Sequence, residues 1–296
     1  MTVKLSELTI SNNFMFGAVM LDVEICRQFL EITLGIPIKR VVIDLEKSIF
    51  YHPEYKGVRL DVYAKDENNT HYNVEMQVAQ KPGLTRRARY YHSQMDMKML
   101  AGGLEYTKLP DTFVIFICDY DPFQQKKYRY TCVNQCRETG DIVGDGSVTV
   151  FLSTHGENDD EVPESLVKFL KFVKADLNGS RADYKDDFVK RLQDSIENIK
   201  ADREMGVRYM LLEELLQDER EAAEAKGKAE GKAEGKAEGK AEGKAEYVLD
   251  LLEDLGAVPE DLAVRITSER NLETLGRYHK LAARAKSIED FQEAIK

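Results

Sequence analysis

A chain of 296 residues, 43% hydrophobic and 32% charged, is long enough for one large core domain plus a smaller one, and its composition argues against general disorder. The net charge of −11 argues against nucleic-acid binding through overall charge. The distribution matters more than the sum: residues 1–150 carry 18 basic and 19 acidic residues, leaving 24 and 34 for the rest.

The first half is therefore near neutral and can still bind phosphate locally. No run of about eighteen apolar residues occurs, so no membrane span is expected. Met1 to Ile10 carries neither a basic leader nor a long apolar stretch. Cys26, Cys118, Cys132 and Cys136 are too few and scattered for a disulfide framework, which fits a reducing, cytoplasmic setting. Cys132 and Cys136 lack a second pair of ligands at zinc spacing, so free thiols are expected there.

In chain order, Asn12 to Gly35 reads as one helix. Phe16, Val19, Met20, Val23, Arg27, Leu30 and Leu34 fall at three- and four-residue steps, with Gly35 and Pro37 as the stop. Val41–Phe50 has strand-like density of β-branched and apolar residues. After Pro53 and Gly57 come two alternating runs, Val58–Ala64 and His71–Val78, around the polar turn 66–70. Pro82 and Gly83 end this hairpin, and residues 85–106 read as a helix rich in Arg, Tyr and Met. Thr112–Cys118 is continuously apolar, as a strand buried on both faces should be. Tyr128–Cys132 and Ser147–Ser153 are further strand candidates, and from Val162 onward the pattern is helical. The order is that of an α/β core (helix, three strands, helix, strand) with a helical C-terminal extension.

Residues 227–246 are Gly-Lys-Ala-Glu repeated five times without variation. A period of four places Lys over Lys and Glu over Glu at every i, i+4 step, which is mildly unfavourable in a helix. Five interior glycines cost roughly 5 kcal/mol relative to alanine. A spacer or marginal helix is expected, ordered only where it packs against something. Beyond it, Tyr247–Gly256, Pro259–Ile266, Asn271–Ala285 and Ile288–Ile295 read as amphipathic helices, with Thr267, Ser268 and Ser287 at expected N-cap positions. The expected organisation is a core over 1–155, a helical extension over 156–226, the repeat over 227–246 and a small helical module over 247–296. The last is suited to self-association or partner binding.

The hairpin carries the chemistry. Alternation puts Val58, Leu60 and Val62 on one face of the first strand and Arg59, Asp61 and Tyr63 on the other. In the second, Tyr72, Val74, Met76 and Val78 share one face and Asn73, Glu75 and Gln77 the other. A symmetric turn pairs Lys65 with His71, which sets Asp61 opposite Glu75 and Arg59 opposite Gln77. Opposed side chains have Cβ atoms about 5 Å apart, so the two carboxylates repel unless something compensates them. A hard divalent cation would reverse the sign of that term. A solvent-exposed polar hairpin face, with Arg59 neutralising one carboxylate, accounts for the same spacing without a metal. Just downstream, Arg86, Arg87, Arg89, Tyr90 and Tyr91 start the next helix, where Arg can bind phosphate and Tyr can stack. A solvated helix face is the alternative.

The runs Gly57-Val58-Arg59-Leu60-Asp61-Val62, Tyr72-Asn73-Val74-Glu75-Met76-Gln77, Arg87-Ala88-Arg89-Tyr90-Tyr91 and Val114-Ile115-Phe116-Ile117-Cys118, with Asp121-Pro122-Phe123, resemble the PD-(D/E)XK nuclease family transposases, also called the recombination-promoting nuclease family. Ser11 to Phe16 is similar to that family's N-terminal motif, and the likeness covers roughly residues 8–155. The resemblance implies a restriction-endonuclease-like core and a Mg²⁺-dependent DNA endonuclease, with Mn²⁺ as substitute. Asp61 and Glu75 would be the metal-binding acids, joined by the Met76 carbonyl. Gln77 stands where the wider superfamily usually has a catalytic lysine, and would orient the attacking water. Arg86, Arg87, Arg89 and Tyr90 would contact DNA. Asn13 stands where this branch often has an acid. The acidic net charge, Gln77 and Asn13 keep open a catalytically weak, nuclease-like scaffold that binds or oligomerises through its helical C-terminal half.

Overall fold

The computed structural model describes residues 3–49 and 58–296, so Phe50, Pro53 and Gly57 lie outside the described residues. The chain forms two compact units, Met1–Leu211 and Leu212–Lys296. The first begins with α1 (Asn13–Met20) and α2 (Val23–Leu34) rather than the single expected helix. The break has a local cause: the Asp22 carboxylate accepts from the Glu24 and Ile25 backbone N–H groups and starts a new helix. Asn12 caps α1 in the same way, and Gly35 ends α2 in the left-handed conformation at φ 72°.

Among the described residues, β1 (Val41–Ile49), β2 (Val58–Asp66), β3 (His71–Gln77), β4 (Thr112–Cys118), β5 (Arg129–Cys132) and β6 (Ser147–Ser153) form one mixed sheet in the order β1-β2-β3-β4-β6-β5. β2 and β3 are antiparallel neighbours; β3, β4 and β6 run parallel. The crossover between β3 and β4 carries α3 (Leu84–Met99), which ends before Gly102 and Gly103 and so is shorter than the expected 85–106.

The sheet is covered on both faces. Val62, Ala64, Tyr72, Val74, Met76, Ile115, Ile117, Val150 and Leu152 pack with α1 and α2. Phe169, Phe172, Val189 and Leu192 join the same core from α4 (Glu164–Lys174) and α5 (Asp187–Ala201). The opposite face is smaller: Tyr63, Val114, Phe116, Cys118 and Phe151 pack against Ala88, Tyr91 and Met95 of α3. Leu60 belongs to this second cluster and not with Val62, so the strict alternation expected of β2 is interrupted at Asp61.

His92 ties α3 to the sheet. Its Nδ1 lies 2.8 Å from the Thr112 hydroxyl and its Nε2 3.0 Å from that of Thr149. A neutral imidazole offers one donor and one acceptor, and a hydroxyl can meet either. Burial lowers the His92 pKa from 6.5 to about 4.

The chain continues as α6 (Arg203–Glu253), one helix that includes the whole repeat. In its first turns the Tyr209 ring packs on Phe14 at 5.1 Å and its hydroxyl donates to the Val3 carbonyl. In the second unit Ala241, Ala245, Val248 and Leu252 of α6 are buried among Leu262 and Ile266 of α7 (Glu260–Ser268), Leu275 and Tyr278 of α8 (Leu272–Ala282), and Phe291 of α9 (Ile288–Ala294). The alanines of the last two repeats thus supply part of an apolar stripe. Ser287 caps α9 as expected, whereas α8 is capped by Asn271, with Thr267 and Ser268 completing α7. Among the described residues no helix is long and apolar enough to cross a membrane.

Two outcomes follow from this packing. The folded His92 binds fewer protons than the unfolded chain between about pH 6.5 and pH 4, so stability should fall as pH drops through that window. Urea unfolding at several pH values reads the slope, which His92→Gln should flatten. A Cβ added at Gly231 or Gly235 meets open space, so Gly→Ala at each should stabilise α6 by about 1 kcal/mol. Amide exchange across α6 in the full chain measures it.

Candidate active site

All seven residues of β3 are buried, because it lies inside the sheet with a helix layer on either face. Its polar face is therefore enclosed under α3 and not open to solvent: Glu75 is 5% exposed and Asn73 fully buried. Asp61, at the margin, is half-buried.

The loop 66–70 fixes the register. The Asp66 Oδ1 accepts from the Asn68 and Thr70 N–H groups, and Asn69 takes the left-handed conformation at φ 66°. Pairing then runs from Lys65↔His71 to Val62↔Val74 and ends there, one step short of Asp61 and Glu75. There the carboxylates themselves span the strands. The Asp61 N–H donates to Glu75 Oε1 at 3.3 Å, and the Met76 N–H donates to Asp61 Oδ2 at 3.2 Å. Tyr91 donates its hydroxyl to Glu75 Oε2 at 3.4 Å.

Those donors do not offset the electrostatic cost. Burial pushes the Glu75 pKa up from 4.5 to about 8, and the nearby Asp61 charge pushes the same way. The Asn73 side chain, the Asp61 N–H and the Arg87 charge oppose the rise without cancelling it. Two adjacent acids in these surroundings resist a second negative charge. Tyr91 is raised too, first by burial and then by Glu75, so it stays a phenol and a donor.

Gln77 lies further along the same face. Its Nε2 donates to the Ala79 carbonyl, and its Oε1 accepts from Arg87 Nη2. The Arg87 guanidinium sits over the Phe116 ring, 4.9 Å from its centroid, and 5.8 Å from that of Tyr91. Among the basic residues of α3, Arg87 alone is turned to the acids. At about 100° per residue, Arg86 and Arg89 point elsewhere and are exposed, while Tyr90 is half-buried at the edge of the cluster. The Arg59 side chain lies outside the described residues. Sequence reasoning named Asn73 only as a member of the polar face and set Tyr90 and Tyr91 side by side; it is Tyr91 that reaches Glu75. The i, i+4 spacing of Arg87 and Tyr91, which puts both on one helix face, was the available signal.

A family model described as PD-(D/E)XK nuclease family transposase matches residues 13–226, nearly three quarters of the chain, and stops where the repeat starts. The chain belongs to the PD-(D/E)XK nuclease family transposases. No curated protein and no solved structure is a match for it. The six-stranded mixed sheet between helices is consistent with the nuclease-like fold of that family.

The donor set also bears on the divalent metals that PD-(D/E)XK nucleases generally use. Among the described residues no group of three or more His, Cys, Asp or Glu is placed to hold an ion. A pair of carboxylates suits a hard cation that keeps most of its waters, and does not suit zinc.

Glu75→Gln keeps the side chain's size and an acceptor while removing its charge. The wild-type folded state holds a proton that the unfolded chain releases between about pH 4.5 and pH 8, so its stability falls as pH rises through that range. The variant should match wild type near the lower limit and exceed it near the upper by on the order of 1–3 kcal/mol. Melting curves at several pH values would show the gap.

Proposed function

We propose that this nuclease-family protein is a Mg²⁺-dependent DNA endonuclease of the transposase-associated, recombination-promoting kind, with Mn²⁺ as a substitute ion. The observation that carries the reading is the close approach of Asp61 and Glu75 across β2 and β3, each carboxylate accepting a backbone N–H of the other strand, in buried surroundings that disfavour their joint charge. Asp61 and Glu75 hold the cation, with the Met76 carbonyl as a further oxygen. The bound ion supplies Lewis acidity and lowers the pKa of water.

The remaining work falls to the protein. The two strands hold the acids in place, and Tyr91 fixes the Glu75 carboxylate. Water adds across the phosphodiester: its oxygen bonds to phosphorus, one bridging P–O bond breaks, and the departing oxygen takes up a proton. The second water proton passes to solvent as the monoester ionises. Arg86 and Arg89, exposed on α3, contact the DNA backbone beside the site, with Tyr90 next to them. The helical C-terminal unit serves self-association, and the protein acts in the cytoplasm.

Purified protein should nick supercoiled plasmid with Mg²⁺ or Mn²⁺ and not in EDTA. Asp61→Ala and Glu75→Ala should each lower the rate by about a hundredfold or more, the scale of losing one preorganised electrostatic partner. Equal nicking by wild type and both variants would end the assignment. Failure to bind either ion in calorimetry would favour a nuclease-like scaffold working through its helical unit.

A further inference from the structure

Gln77 has no free polar end. A guanidinium only donates and a backbone carbonyl only accepts, so the amide orientation is fixed, with Oε1 on Arg87 and Nε2 on Ala79. The side chain, 6% exposed, works as a clip from the end of β3 to the first turn of α3. It is poorly placed to orient a water, the role its position in the sequence suggested.

Arg87 is the group it holds. The guanidinium carbon lies over Phe116 and near the Tyr91 ring. Its charge acts on Glu75, yet the Glu75 oxygens take their hydrogen bonds from Tyr91 and the Asp61 N–H. The Arg87 Nε is buried and has no acceptor among the described residues. A held cation near Glu75, with a buried donor unanswered, matches an anion that arrives beside it.

We infer that Arg87 is a catalytic residue that stabilises the negative charge on the scissile phosphate, and that Gln77 is the positioning residue that holds it. The inference rests on the nuclease reading above. It assigns to an arginine on α3 the positive charge that position 77 does not itself supply. A purely structural staple between β3 and α3 would use the same contacts, and charge relocation separates the two.

The test uses the full chain with Arg87→Met, Gln77→Glu and the double variant Gln77→Lys with Arg87→Met, each checked for folding by circular dichroism. Plasmid nicking is measured beside equilibrium binding of a labelled duplex in Ca²⁺. Arg87→Met should nick about 10²–10³-fold more slowly, as expected for losing one preorganised donor at the reacting centre. It should also bind the duplex more weakly. The double variant should recover at least about tenfold of the lost rate, because the lysine introduced at position 77 places an ammonium where the guanidinium was. Gln77→Glu is isosteric and pairs with Arg87 in place, so it should slow nicking about tenfold or more even if Arg87→Met fails to fold.

Wild-type nicking by Arg87→Met or Gln77→Glu, or a folded double variant no better than Arg87→Met, would overturn the inference. If wild type itself does not nick, the nuclease reading fails and the binding arm decides. Weakened binding restored by the double variant keeps Arg87 as a phosphate ligand, and unchanged binding removes it.

Discussion

Two carboxylates held close together beneath a helix are costly, and much of the first unit can be understood from that cost. Each ionised acid loses hydration, and their repulsion grows as the surroundings become less polar. The protein answers with fixed donors: two backbone N–H groups at the fork of the hairpin and the Tyr91 hydroxyl. What remains uncompensated keeps the Glu75 pKa high. The same arrangement requires a rigid frame, since a shift in strand register by one residue would turn the acids to the other face.

The frame comes from the asymmetry of the sheet's two faces. On one, four helices and a continuous apolar core fix β3 and β4 from behind. On the other, α3 leaves a partly polar interface, sealed by Phe116, Phe151 and Met95 and tied down by His92 between two threonine hydroxyls. The parallel crossover that carries α3 delivers its first turn to the end of β3, where Gln77 and Arg87 meet. The contacts of Arg87 and the His92 anchor thus lie along one short helix.

The second unit solves a different problem. Five glycines in one helix are unfavourable by propensity, and the repeat contains no Lys–Glu pairs at helical spacing to offset them. Helix continuity there is supported where alanines enter an apolar stripe: Ala241 and Ala245 are buried with Val248 and Leu252. Alanine is small enough for the neighbouring helices to approach closely, which makes a low-complexity repeat useful as a packing surface.

Much of this was legible in the residues themselves. Alternation located both strands of the hairpin, the length of the turn gave the register, and continuous apolarity marked β4, because these signals depend on neighbours a few positions away. Asp61, Glu75 and Gln77 could therefore be placed near one another from the sequence alone. Tertiary structure decided what covers them. Sequence spacing could not show that α3 buries the polar face, that Arg87 and Tyr91 turn inward while Arg86, Arg89 and Tyr90 do not, or that Gln77 engages both ends inside the protein. Nor could it show that α4 and α5 complete the core, or that the repeat is helical. Each depends on a partner supplied from elsewhere in the chain, and local periodicity carries no information about which partner that is. The hairpin's acids were written in the sequence; the charge state they adopt is set by what packs over them.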